Sequence, residues 1–133
     1  MAMTLDSLVP QALAARERAY APYSNFLVGA ALLGRSGTVY RGCNVENATY
    51  GLCICAERTA IVSAVAQGER EFEGIVVATS SSPPSPPCGL CRQMLAEFAP
   101  DIPILLVNTA GESSRTTLSA IFPHSFTKAF LDK

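Results

Sequence analysis

The sequence predicts an α/β protein built as a three-layer α/β/α sandwich around a mixed β-sheet. Helical patterns alternate along the chain with short apolar runs of strand length, and clusters of turn-forming residues separate them. Of the 133 residues, 49% are hydrophobic and 16% are charged, which is typical of a globular chain with a packed core. The length fits one domain, residues 1–133.

The first half of the chain is predicted to form a helix, a hairpin and a second helix. Apolar residues at three- and four-residue spacing indicate an amphipathic helix over residues 5–20. Residues 26–33 form an apolar run, and the turn Gly34–Gly37 joins it to a second strand over residues 38–45, so we expect an antiparallel pair. A helical pattern covers residues 56–67 and ends before a glycine, the usual C-terminal cap.

The second half alternates strands and helices. Residues 74–79 and 102–107 are short apolar strands, typical of strands that are covered on both faces. Residues 80–87 hold four serines and four prolines and must form a loop, which leads into a helix over residues 88–98. A short helix follows at residues 117–122, and the tail ends in a last helical turn. Strands joined by these crossing helices should run parallel.

Charge and hydropathy exclude several classes of partner. With 10 Lys+Arg against 11 Asp+Glu, the chain has a formal charge of −1, and its only lysines are Lys128 and Lys133. Nucleic acid and anionic membranes are therefore unfavourable partners. No apolar run is long enough to span a membrane. Residues 1–6 lack a basic region followed by an apolar one, so we expect a cytoplasmic protein.

Cysteine usage points to a metal. The chain has an odd number of cysteines and one histidine, which favours metal or catalytic use over a disulfide framework and rules out a two-Cys, two-His finger. The five cysteines are Cys43, Cys53, Cys55, Cys88 and Cys91.

Three cysteines and one glutamate carry the strongest signal. Cys88 and Cys91 are three residues apart at a predicted helix start, where their sulfurs can share one ion and where the helix dipole favours thiolates. Cys55 begins the other predicted helix, and Glu57 follows two residues later. A catalytic zinc site has three protein ligands and leaves the fourth position to water. Cys-x-Glu with Pro-Cys-x-x-Cys is a signature of zinc deaminases, in which the glutamate transfers protons.

Other interpretations of the same residues stay open. Cys-x-x-Cys alone can be a redox motif, and Glu57 alone could simply complement the helix dipole. Cys53 could complete a closed four-cysteine structural site, although only Cys55 stands in Cys-x-Glu register. Under the deaminase interpretation, Cys43 and Cys53 are small buried residues. His124 has no catalytic role in this scheme.

Four blocks of sequence are similar to the small, homotetrameric, zinc-dependent cytidine deaminases of pyrimidine salvage. They are Phe26–Ala31, Asn44–Gly51, Cys55–Ala60 and Pro87–Gln93. The resemblance implies a five-stranded sheet, one more strand than the segments above provide, and one Zn²⁺ per chain. It also implies a hydrolase that converts cytidine, and 2′-deoxycytidine, to uridine or deoxyuridine and ammonia. Zinc-bound hydroxide would attack C4 of cytosine, with Glu57 as the proton shuttle.

The resemblance also implies roles for residues around the metal. Asn44 and Glu46 would bind the ribose 3′-hydroxyl, and Phe26 would pack against the nucleoside. The Ala56 N–H and the Pro86 carbonyl would contact the ring. Three further residues would reach the site of a neighbouring subunit, with the last of them stacking on the base: Ala48, Tyr50 and Phe126.

Three thiolates on Zn²⁺ carry a net charge of −1, which should make a bound water less acidic. Arg58 follows Glu57 and could donate hydrogen bonds to thiolate sulfur, which would offset this charge. It could equally be a solvated helix residue. Deamination of another aminopyrimidine on the same fold is a near alternative, against which Asn44 and Glu46 weigh. The missing basic stripe disfavours polynucleotide editing.

Overall fold

A mixed sheet lies at the centre of the protein. The computed structural model describes residues 4–131, and within that range the sheet has five strands in the order β2-β1-β3-β4-β5. β3 and β4 pair in parallel, and the other neighbouring strands pair antiparallel. The strands are β1 (Gly29–Gly34), β2 (Val39–Cys43), β3 (Phe72–Thr79), β4 (Pro103–Asn108) and β5 (Ser113–Thr117).

Helices cover both faces of this sheet, which confirms the three-layer α/β/α prediction. The α-helices are α1 (Val9–Arg16), α2 (Ala56–Ala66), α3 (Gly89–Phe98) and α4 (Leu118–Ile121), and 3₁₀ turns span Leu5–Leu8, Tyr50–Leu52 and Lys128–Phe130. None of the helices within residues 4–131 has the length and hydropathy to cross a membrane. Residues 1–3, part of the N-terminal segment that predicts a cytoplasmic protein, and residues 132–133, which include Lys133, lie outside the described residues.

β1 shows why the central strands are apolar throughout. All six of its residues are buried, and successive side chains point to opposite faces. Ala30 and Leu32 belong to the core beneath α2 and α3, whereas Ala31 and Leu33 belong to the core beneath α1. A strand with helices on both sides has no solvent face, so its sequence loses the apolar/polar alternation.

The strand directions bring the starts of two helices to one edge of the sheet. β2 and β3 are both antiparallel to β1, so they run in the same direction on either side of it. α2 follows β2, α3 follows β3, and both helices pack on the same core. Their N-termini therefore lie near each other at the carboxyl edge of these strands, where ligands bind in many α/β folds.

The structure differs from the sequence expectation at several elements. β5 was not identified from its own residues because its sequence, Ser-Ser-Arg-Thr-Thr, is polar and mostly exposed at the edge of the sheet. The first helix ends at Arg16 rather than at residue 20, since Tyr20 pairs with Val45 in an isolated bridge. β1 begins at Gly29 rather than Phe26.

We expect Gly42→Ala to destabilise the fold, because Gly42 is where β2 touches α2. A Cβ atom there would lie 2.3 Å from Ala56 O and 2.5 Å from Ala60 N, both backbone atoms. Overpacking of this kind costs about 3 kcal/mol of unfolding free energy, which a urea titration would measure. Gly51→Ala is the matched control, since a Cβ at Gly51 meets open space. Equal stability of the two variants would contradict this close approach.

Candidate functional site

Three cysteine sulfurs meet where the two helices begin. Cys55 and Cys88 are the N-cap residues of α2 and α3, and Cys91 lies one turn into α3. The three Sγ atoms lie within 4.8 Å of one another. Cys55 Sγ is 3.6 Å from Cys88 Sγ, which is 3.5 Å from Cys91 Sγ. A tetrahedral zinc site with Zn–S bonds of about 2.3 Å separates its sulfurs by about 3.8 Å, so this donor set fits zinc.

Cys53, the rival ligand, has a different environment. Its Sγ accepts a hydrogen bond from Asn47 N at 3.3 Å and contacts Asn47 O at 3.6 Å. Among the described residues, it is not part of the group of three clustered sulfurs. Cys43 also lies apart, and burial raises the pKa of its thiol. Both cysteines are half-buried rather than fully buried as expected.

Hydrogen bonding within the cluster favours a thiolate at Cys55. Hydrogen bonds from Cys91 and from Arg58 lower the pKa of Cys55 to about 5, although burial opposes this shift. Hydrogen bonding to Cys55, followed by burial, raises the pKa of Cys91. Cys55 therefore ionises more easily than Cys91.

Arg58 faces this cluster. Its Nη2 lies 3.6 Å from Cys55 Sγ and 3.2 Å from Cys53 O, and the side chain is half-buried. Its Nε is buried and has no hydrogen-bond partner within residues 4–131. A solvated helix residue would not have these contacts. The side chain lies where its positive charge can act on the sulfurs.

Glu57 is a buried acid beside the same sulfurs. Only 4% of the residue is exposed, although it lies in the first turn of α2. Burial, and to a smaller extent the nearby Cys55 charge, raises the pKa of Glu57 to about 7, although a backbone hydrogen bond opposes this shift. A carboxyl group with a pKa near neutrality can both accept and release a proton at physiological pH, which suits general acid–base work.

A cavity of about 440 Å³ opens beside these groups. This volume is within the range of small-molecule sites. Phe26, Asn44, Glu46, Ala56 and Pro86, all predicted to contact the nucleoside, line it together with Cys53, Cys55, Glu57, Arg58 and Cys88. Tyr50, predicted to reach the site of a neighbouring subunit, lines the cavity of its own chain. Ala48 and Phe126, predicted to act across a subunit boundary, do not line it. Phe126 is 56% exposed and stacks on Phe130 at 5.8 Å.

Asn44 and Glu46 lie just beyond β2, on a stretch whose middle residue pairs with Tyr20 and Ile54. Asn44 Oδ1 accepts from Val28 N at 2.8 Å, and its Nδ2 donates to Phe26 O at 2.8 Å. The Asn44 side chain therefore binds backbone groups of Phe26 and Val28, just before β1 begins at Gly29.

Glu46 is held as a carboxylate at the cavity wall. It accepts hydrogen bonds from the backbone N–H groups of Tyr23 and Ser24, at 2.9 and 3.1 Å, and from the Ser24 hydroxyl. The Ser24 hydroxyl bond, followed by the backbone bonds, lowers the pKa of Glu46 below its usual range. The carboxylate therefore stays ionised.

Sequence reasoning missed several residues of the cavity. Ser24 bonds Glu46 and accepts from Phe26 N at 3.0 Å. The sequence feature that could have indicated Ser24 is the turn before Phe26. In this turn Asn25 adopts a left-handed conformation with φ of 59°. The others had no local signal, because distant segments bring them together in the fold. The missed residues are Ser24, Val28, Ile54, Val77, Thr79, Ser85 and Leu90.

The fold and the site define a class of protein. An α/β/α sandwich that places three sulfurs and a buried glutamate at two helix N-termini, beside a cavity for a small molecule, is the arrangement of a zinc-dependent deaminase. The chain belongs to the cytidine and deoxycytidylate deaminase family, whose zinc-binding-region model matches residues 3–106.

Individual relatives agree with this membership over nearly the whole chain. A cytidine deaminase of Sporosarcina psychrophila is 45% identical over 127 residues, covering 95% of this chain and 93% of the relative. One of Halalkalibacterium halodurans is 48% identical, with coverages of 94% and 96%. The crystal structure of cytidine deaminase from Burkholderia pseudomallei superposes with a TM-score of 0.89 at 50% identity, covering 93% of this chain and all of that one.

We expect Cys55→Ser to weaken zinc binding and Cys53→Ser to leave it unchanged. Loss of a thiolate ligand should lower zinc affinity by more than about 100-fold, since even changes outside the ligand set cost up to that amount. Competition with a chromogenic chelator would measure both affinities. The two serines differ from cysteine in the same atom, so Cys53→Ser is a matched control. Release of zinc by Cys53→Ser would instead support the closed four-cysteine site.

Proposed function

We propose that this protein catalyses the hydrolytic deamination of cytidine, and of 2′-deoxycytidine, to uridine or deoxyuridine and ammonia. The observation that carries the proposal is the placement of Glu57 beside the clustered sulfurs of Cys55, Cys88 and Cys91, at a cavity of small-molecule size that Cys55, Glu57 and Cys88 line. Family membership and the cytidine deaminases similar over most of the chain support it.

The metal would be one Zn²⁺ per chain, held by Cys55, Cys88 and Cys91. When bound, zinc supplies a Lewis acid that makes water acidic enough to react near neutral pH. Three protein ligands leave room for a fourth, which separates a catalytic site from a closed structural one. Arg58 would offset the net negative charge of three thiolates on a divalent ion, since its guanidinium contacts Cys55 Sγ.

Glu57 would move the protons. Its carboxylate accepts a proton from water as the water oxygen bonds to C4 of cytosine. It would deliver this proton to N3, then take the second proton from the new hydroxyl on C4 and pass it to the amino group. The C4–N bond then breaks, the C4–O bond becomes a carbonyl, and ammonia leaves. Burial and a pKa raised towards 7 support this double role, because the group must be a base in one step and an acid in the next.

The nucleoside would be positioned by the wall opposite the metal. Asn44 and Glu46 would bind the ribose 3′-hydroxyl, with the ionised Glu46 as acceptor, and Phe26 would pack against the sugar and base. Because both cytidine and deoxycytidine have a 3′-hydroxyl, this contact binds the two nucleosides equally. The Ala56 N–H, at the N-terminus of α2, and the Pro86 carbonyl would contact the ring.

We propose further that the enzyme is a cytoplasmic homotetramer of pyrimidine salvage that acts on free nucleosides and not on polynucleotides. Several large apolar side chains are exposed, including Tyr50 at 73%, which lines the cavity, Leu52 at 66% and Phe126 at 56%. A neighbouring subunit would bury them, and Ala48, Tyr50 and Phe126 would then contribute to its site. The near-neutral net charge supports a small, uncharged substrate.

The decisive experiment follows the ultraviolet absorbance of cytidine with wild-type protein and with Glu57→Gln. We expect the wild type to convert the spectrum to that of uridine and Glu57→Gln to be slower by about 10⁴-fold, because glutamine cannot carry a proton. Zinc content is measured in both samples, so that metal loss cannot explain the difference. A wild-type protein that holds one zinc per chain but does not convert cytidine would contradict the proposal.

Glu46→Gln should raise the KM for cytidine by about tenfold and change kcat little. A hydrogen bond to a charged acceptor is worth about 1.5 kcal/mol, and the ribose hydroxyl is present in the ground and transition states alike. Steady-state kinetics with cytidine and with free cytosine would test this. Glu71→Gln, which removes an exposed carboxylate paired with Arg35, is the control. Equal use of cytosine and cytidine would argue for another aminopyrimidine substrate.

A further inference from the structure

The loop from Ser80 to Pro87 connects β3 to α3 and forms part of the cavity wall. Ser85 and Pro86 line the cavity, as does Thr79 at the end of β3. The loop has no helix or strand of its own, so other contacts must hold its wall-forming end in place. Most of these contacts converge on one residue, Ser81.

The Ser81 hydroxyl joins the two ends of this loop. Its Oγ lies 3.1 Å from Thr79 Oγ1, is hydrogen-bonded to Ser85 Oγ, and donates to Pro83 O at 3.0 Å. A serine hydroxyl has one donor and two acceptor positions. Because its one hydrogen goes to Pro83, the hydroxyls of Thr79 and Ser85 must both donate to Ser81. All three positions of the Ser81 hydroxyl are then used.

The backbone of Ser81 is fastened to the sheet as well. Its carbonyl oxygen accepts from Asn108 Nδ2 at 2.9 Å. Asn108 ends β4, is 3% exposed, and bonds the N–H groups of Ala110 and Glu112 through its Oδ1. Ser81 is therefore fixed to β3 through Thr79 and to β4 through Asn108, and it holds Ser85 from there.

The metal end of the loop is held separately. Arg92 Nε donates to Pro87 O at 2.8 Å, and Arg92 Nη1 donates to Ile121 O at 2.7 Å. Pro87 is fully buried, and Cys88 begins α3. Contacts with Ser81 thus secure the wall at Ser85 and Pro86, whereas contacts with Arg92 secure the approach to Cys88.

We propose that Ser81 is a positioning residue for nucleoside binding, holding the Ser85–Pro86 wall of the cavity through its hydroxyl. This inference rests on the proposed function for its substrate. Nucleoside binding and metal binding then depend on different contacts of one short loop. Ser81 supports the wall that contacts the nucleoside, and Arg92 supports the segment that leads to Cys88.

The test compares Ser81→Ala with Ser82→Ala and Ser81→Thr. We expect Ser81→Ala to raise the KM for cytidine by about tenfold, because Thr79 and Ser85 lose a shared partner and the wall loosens. Its kcat should stay within about twofold and its zinc content should not change. Ser82→Ala removes only the exposed bond to Glu112 on the outer side of the loop, so its KM should equal that of the wild type. Ser81→Thr keeps the hydroxyl, so its KM for cytidine should be close to that of the wild type.

Hydrogen exchange of the loop amides, measured without nucleoside, gives a readout that does not depend on the substrate. Ser81→Ala should speed exchange at the non-proline amides of the loop, residues 80–82 and 85, and leave α3 unaffected. Unchanged exchange, an unchanged KM, loss of zinc from Ser81→Ala, or an equal effect of Ser82→Ala would each overturn the inference. If the wild type does not convert cytidine but Ser81→Ala still speeds hydrogen exchange of the loop amides, only the proposed substrate is refuted.

Discussion

The meeting of two helix N-termini at three sulfurs is the constraint on which the rest of the structure depends. It requires β2 and β3 to run in the same direction, so that α2 and α3 begin at the same edge of the sheet. It also requires α2 to lie against β2, where Gly42 allows the two backbones to touch. Helix N-termini favour thiolates, so the position that gathers the cysteines also promotes their ionisation.

This placement brings negative charges close together, and the positive charge of Arg58 partly offsets them. Glu57 and the Cys55 thiolate place negative charge together in a site that largely excludes water from the glutamate. Arg58 is the nearby cation, with a hydrogen bond to Cys55 and an otherwise unpartnered Nε among the described residues. A divalent cation bound by the sulfurs would complete the balance and lower the cost of a charged Glu57.

The cavity wall depends on hydrogen bonds made by polar side chains. Asn44 holds the segment that carries Phe26, Ser24 and Glu46 hold each other, and Ser81 holds the Ser85–Pro86 segment. None of these contacts is part of a regular helix or strand ladder. Irregular segments need such bonds because their buried N–H and C=O groups have no ladder partners.

The sequence by itself determined the layers, most of the elements and the metal chemistry. Periodicity of apolar residues reports burial directly, and Cys-x-Glu with Pro-Cys-x-x-Cys is a local pattern that needs no fold to be recognised. Only the tertiary structure decided which sulfurs cluster, that Cys53 contacts Asn47 instead, and that Thr79, Ser85 and Val77 face the cavity. It also revealed β5, whose polar edge position leaves no apolar pattern. The reason is that these features depend on contacts between segments far apart in the chain, which a local pattern does not record.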